Sequence, residues 1–343
     1  MLLPRSSLFL KMIIRHSFLS CCIITILFTL SCCTGIKPIA ITAVEKYSTV
    51  AGGLSALPPK LYNRAYQLRM QTQTLQLSAL IATNPSSKES IAALQTDLND
   101  KLQFLAMADS FGYAYQIMGK YAELLHAIIS PVYLKDFVKN KKEWETSFTT
   151  LLKTYTTTTG EKLPATAFNN SIGGFTAALI KQLGSGKIKT LQKKYLKAAI
   201  TNARISFEAI CDNFLTADIP KISNELRALP GFIDENYKDF LNNIQAYENK
   251  QGNNPYNYYK LYLPLYLNWQ LELRELNTLA QQLTVCFSSL RNAYAQVEYC
   301  IINSDTITEL PKELTLLESE YNLLVSTISK FSASRERVFT NAY

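Results

Sequence analysis

Only two histidines occur in the 343 residues, His16 and His126, and His126 is the one placed to do chemistry in a folded body. Glu123 precedes it by three residues, so on a helix the carboxylate and the imidazole share a face. Such a pair can move a proton or hold one side of a metal ion. No second His or Cys lies close enough in sequence to complete a metal set. Ser/His/Asp catalysis would have to use this one imidazole, and no nucleophile-elbow motif accompanies it. Gly184-Ser185-Gly186-Lys187 has the look of a phosphate loop. That motif needs Gly at position 181, which is Lys, and Ser or Thr at 188, which is Ile. Glu143 with Glu145, and Glu318 with Glu320, stand two apart and do not face each other on a helix. The expectation is therefore no catalytic residue, no metal and no cofactor. An enzyme whose site forms only in three dimensions stays as the third reading.

Two segments carry binding chemistry instead. Tyr256, Tyr258, Tyr259, Tyr262, Tyr266 and Trp269 are interleaved with Leu261, Leu263, Leu265 and Leu267. Dense packing at a bundle end explains such a cluster. The functional alternative is a docking surface for lipid headgroups, a glycan or a protein, with Tyr258, Tyr262 and Trp269 as contacts. The second segment is 163–197. Leu163 to Ile180 carries no charge and contains Ile172, Gly173, Gly174 and Phe175. A basic stretch follows, with Lys187, Lys189, Lys193 and Lys194. An apolar helix followed by a lysine-rich one can sit beneath anionic headgroups. The pattern is similar to the apolar hairpin of helical pore-forming proteins, and the expectation it competes with is a buried helix beside a solvated lysine face.

The N-terminus reads as an address. Arg5, Lys11 and Arg15 are followed by an uncharged run from Ser17 to Leu30, too short for a span of about 20 residues. Met12 is a second possible start. A basic start, a short apolar run and a small-residue exit describe a secretory signal peptide over 1–31. The run ends in Thr29-Leu30-Ser31-Cys32-Cys33. This resembles the lipobox of bacterial lipoprotein precursors, in which a small residue precedes a Cys. The resemblance implies that Cys32, with Cys33 as the alternative, takes a diacylglycerol and becomes the mature N-terminus. The residue after the lipidated Cys is Cys33 or Thr34 rather than Asp, which implies outer-membrane sorting, with the body facing the periplasm or the cell exterior. The expected partners are thus the membrane, through the lipid, and a protein of the cell envelope.

These segments must be positioned by helices. The net charge of +8 falls to +5 when Arg5, Lys11 and Arg15 leave with the signal, too mild to suggest a nucleic-acid partner. Twelve Gly and twelve Pro are too few for a turn-rich β-sandwich or barrel. The fold expected is all-α, an elongated antiparallel bundle of about seven long, heptad-patterned helices over 58–343. Residues 32–57 are expected as the lipidated Cys and a tether with room for a short helix. Apolar residues step by three and four along Leu61 to Ala82, Leu276 to Cys300 and Leu310 to Val338, which predicts coiled-coil-like seams. The last two seams predict an antiparallel hairpin. The Thr156–Thr159 run is expected as a loop, Pro230-Gly231 as a helix break and Pro264 as a kink. Cys211, Cys286 and Cys300 are expected as buried free thiols, with a Cys211 disulfide as the lesser alternative.

Overall fold

The computed structural model describes residues 36–83, 88–130, 139–159, 188–252, 254, 256–304 and 306–340. Among these, every regular element is helical. The chain passes through α1 (Pro38–Ser55), α2 (Leu57–Thr83), α3 (Lys88–Ile129), α4 (Lys141–Thr159) and α5 (Ile188–Asn213). It continues through α6 (Ile219–Gln251), α7 (Tyr256–Ile302) and α8 (Lys312–Thr340). The all-α bundle expected from the seams is what forms.

The first departure from expectation is α1. Residues 38–55 fall where a tether was expected, and they form a central helix. Ala40, Ala43, Val44, Tyr47, Ala51 and Leu54 are all fully buried. Pro38 opens the helix, where its fixed φ and missing N–H do no harm. The Gly52-Gly53 pair lets neighbours close in. A methyl group on Gly53 would collide with the Tyr321 ring of α8. Gly119 of α3 packs so near Ser55 that a Cβ there would lie 2.7 Å from the Ser55 hydroxyl oxygen. The close neighbour that Gly119 admits is α1.

Side-chain contacts fix the directions. Thr49 lies beside His126, and Gly52 faces Ala122, so α1 and α3 are antiparallel. Tyr121 of α3 reaches the Ala199 carbonyl, and Tyr115 packs on Phe214, so α3 and α5 are antiparallel. Arg204 pairs with Glu298 and Arg291 with Asp212, which makes α5 antiparallel to α7. Gln282 donates to Thr327 at 3.0 Å across the predicted α7–α8 hairpin. The seam residues Leu276, Leu283, Cys286, Leu290, Ala293, Val297 and Cys300 are buried, as their spacing requires.

Helix α7 is the spine. Its 47 residues span roughly 70 Å at 1.5 Å per residue. Its C-terminal half packs with α1, α5 and α8, and its N-terminal half with α2 and α6. The two ends of the molecule are therefore built from different helices.

Three sequence breaks do not interrupt the helices. Thr156–Thr159 is the last turn of α4, where the Thr157 hydroxyl donates back to the Lys153 carbonyl. Pro230 lies inside α6, whose Leu226, Leu229, Ile233 and Tyr237 stay buried on one face. That packing outweighs the lost hydrogen bond. Pro264 lies inside α7 on its exposed side. Between α5 and α6 there is no loop at all. A π turn, Phe214–Asp218, joins them, and the Ile219 N–H bonds the Phe214 carbonyl. Pro220 lacks the N–H that Thr216 would need, and a widened turn accommodates that gap. Gly252, at φ 71°, closes α6.

Candidate interaction surface

The apolar surface of interest lies on α2 and the N-terminal half of α7. Leu261, Leu263, Leu267 and Leu271 of α7 are 66, 48, 52 and 45 % exposed. An open groove of about 680 Å³ runs between α2 and α7, with Met70, Leu75, Leu265 and Trp269 in its wall, on another side of α7 from Leu263, Leu267 and Leu271. A second groove of about 400 Å³ continues along α2 towards α8, lined by Leu57, Leu276, Leu279, Leu324 and Ile328. Arg64 and Gln67 border both grooves.

Polar groups fix this region from below. Glu272 is 2 % exposed and is held by Arg64, whose Nη2 donates to Oε2 at 2.9 Å. Trp269 is buried and its indole N–H donates to Gln71 at 3.2 Å. Tyr266 stacks on Tyr237 at 4.7 Å and donates to Asp234 at 2.7 Å. Tyr262 meets the Phe240 ring edge-on at 4.7 Å. The Tyr258 hydroxyl bonds the buried Glu248 carboxylate, and this raises its pKa. The tyrosine cluster is thus mostly packing, as its simpler reading has it. Trp269, expected as a contact, supports the groove wall, and Tyr258 and Tyr262 are half-buried. The leucines between them are what faces outward.

The other singled-out residues divide. Cys32, Cys33, Ile172, Gly173, Gly174, Phe175 and Lys187 lie outside the described residues. Lys189, Lys193 and Lys194 lie on the first two turns of α5, with Lys193 half-buried. The buried face of α5 is Leu196, Ala199, Ile200, Ala203 and Phe207, which joins the core.

His126 is half-buried, with Nε2 3.4 Å from the Thr49 hydroxyl. The Glu123 carboxylate accepts from Lys120 at 2.8 Å and from the Trp144 indole at 3.1 Å. Burial lowers the His126 pKa below 6.5, and the Glu45 carboxylate offsets part of that. The unfolded chain therefore takes up this proton first as the pH falls. Stability is expected to be full above about pH 6.5 and to decline below it, through the lower folded pKa. His126→Gln should flatten that part of the pH profile, read by urea denaturation.

Cys211, Cys286 and Cys300 are free and buried. Burial pushes the Cys286 thiol up to about 12 and the Cys211 thiol higher, so neither is a nucleophile at neutral pH. Among the described residues no group of His, Cys, Asp and Glu is placed to hold a metal ion. None of the described helices is long and apolar enough to cross a membrane. The chain matches no protein-family model, no curated protein and no solved structure.

The Arg64–Glu272 pair carries no sequence signal, because its members are 208 positions apart. The exposed leucines do carry one. They break the period of the buried stripe that begins at Trp269 and Leu273.

Proposed function

We propose that this chain is a lipid-anchored envelope lipoprotein of a bacterium, acylated at Cys32, whose helical bundle is a structural, protein-interaction module. The observation that supports it is the placement of two features along α7. The lipobox lies just before α1, whose start is level with the end of α7 near Ile302. The leucine surface and its grooves lie at the other end. Leu271 is 31 residues before Ile302, roughly 46 Å along the axis. A body held by one end presents its apolar surface at the other, clear of the headgroups.

The chemistry of the grooves suits an amphipathic helix of a partner protein. Their walls are leucine, methionine and the Trp269 face, and their rims are Gln67, Ser78 and Asn268. Helix-in-groove recognition uses an apolar floor with polar edges. A photo-reactive residue at Thr74 or Ser78, both exposed in the groove wall, introduced into the protein in its own cell, is the test. The expected result is an adduct of discrete mass from both sites and none from the exposed Lys153. The same adducts from all three sites, or none from any, would contradict this reading.

The rival proposal, a membrane-active hairpin at 163–197, draws its apolar half from residues outside the described set. Of its described part, Leu196 is buried in the core.

A further inference from the structure

We infer that the end of the bundle where α1 begins is a docking face for anionic lipid headgroups, held against the bilayer by the anchor. This rests on the acylated-Cys32 reading above. The first argument is reach. Ile36 already packs against the core, so the body begins four residues after Cys32. Four residues span at most about 14 Å when fully extended. The 32–57 stretch is therefore no long tether, and this end of the bundle cannot stand away from the membrane surface.

The second argument is which residues share that end. Rings of Tyr47 and Phe207 lie 5.4 Å apart, and α1 and α5 run in the same direction. Pro38 is nine residues before Tyr47, so it is level with Ala198 of α5. The first ten residues of α5 project past that level by roughly 15 Å. Helix α8 begins at the same end, since Lys46 pairs with Glu318 and both helices run the same way. The end therefore gathers Lys37, Lys193, Lys197 and Lys312, drawn from α5 and α8 and the segment leading into α1. All but Lys193 are exposed. The exposed acids at that level are Glu309 and Glu313, with Glu45 two turns further in, so the balance is basic.

These lysines are scattered in sequence, from 37 to 312, and only the helix directions bring them together. Lysine stems lie along apolar surface while the ammonium reaches phosphate. Basic residues near an anionic leaflet are attracted over a Debye length, about 8 Å at physiological salt. The end is thus within range of the field, and the lipid fixes it there. The consequence is orientation. The rod points away from the membrane, and α2 and the start of α7 face outward.

The test uses the full chain, processed and purified from its membrane and placed in vesicles. One set mixes phosphatidylethanolamine with phosphatidylglycerol, and the other is phosphatidylcholine alone. Intact mass first reads acylation. Lysine acetylation rates are then read by peptide mass spectrometry. The expected result is that Lys37, Lys197 and Lys312 react in the anionic vesicles at about a third of their rate in the neutral ones. Lys250 and Lys260, at the far end, should react equally in both. About 1 M sodium chloride should abolish the difference, because the screening length is then about 3 Å. An acylated chain whose base lysines react alike in both vesicles would overturn the docking face alone. An unacylated chain would overturn the anchor and the docking face with it.

Discussion

Replacing Phe207 by alanine is expected to cost about 3–5 kcal/mol of unfolding free energy, as truncation of a buried aromatic ring does. Phe207 is fully buried where four helices meet. Its ring lies 5.4 Å from Tyr47 of α1, 5.8 Å from Tyr121 of α3 and 5.2 Å from Tyr294 of α7. Two of these neighbours cannot collapse into the space, because their hydroxyls are fixed. Tyr294 donates to the Ile200 carbonyl at 2.6 Å, and Tyr121 lies 3.3 Å from the Ala199 carbonyl. Burial raises the pKa of both phenols, so they stay neutral hydrogen-bond donors. Domains of ordinary stability hold about 5–15 kcal/mol, so this one change removes a large fraction. Two companions check the cause. Leu267→Ala, at an exposed site, should stay within about 0.5 kcal/mol. Tyr47→Phe should be neutral or stabilising by about 1 kcal/mol, because the buried Tyr47 hydroxyl has no partner among the described residues. Equilibrium urea denaturation reads all three, and a Phe207→Ala cost under about 1 kcal/mol would mean the four helices do not share this core.

Cys32→Ser is expected to move the protein from the membrane fraction to the soluble fraction almost completely. None of the described helices can cross a bilayer, so in the proposed account the acyl chains supply the hold. Each buried methylene contributes about 0.8 kcal/mol, and two long chains make release negligible. The base lysines alone bind reversibly and are screened by salt. Cys33→Ser should leave the fractionation unchanged. The folded body should be the same in both variants, since Ile36 is the first residue to join the core.

The seams explain how much of this fold was legible. Leu276 to Cys300 and Leu314 to Leu324 repeat at three and four, and a stripe of that width can only be buried on a partner helix. The α7–α8 hairpin followed directly. Helix α1 was expected only as a short helix within a tether, because its stripe is built from alanines and small residues. Ala40, Ala43, Ala51 and the Gly52-Gly53 pair look like a loop composition, yet small residues suit a helix crossed closely on two sides. The spacing of Ala40, Val44, Tyr47, Ala51 and Leu54 held the signal. Pro230 and the Thr156–Thr159 run misled for a related reason: local preference amounts to a few kcal/mol, and packing on one face overrides it. The aromatic cluster was legible as packing, and its outward leucines are the ones that fall outside the period of the buried stripe at Trp269 and Leu273. The basic end could not be read at all, since Lys37 and Lys312 become neighbours only through the directions of α1 and α8.

The account turns on a lipid at the very start of a bundle that begins almost at once. Intact mass spectrometry of the mature protein, followed by sequencing of its first peptide, tests this most directly. The predicted result is a chain that starts at Cys32 and carries diacylglycerol on the Cys32 sulfur. A mature chain with both Cys32 and Cys33 unmodified would contradict it.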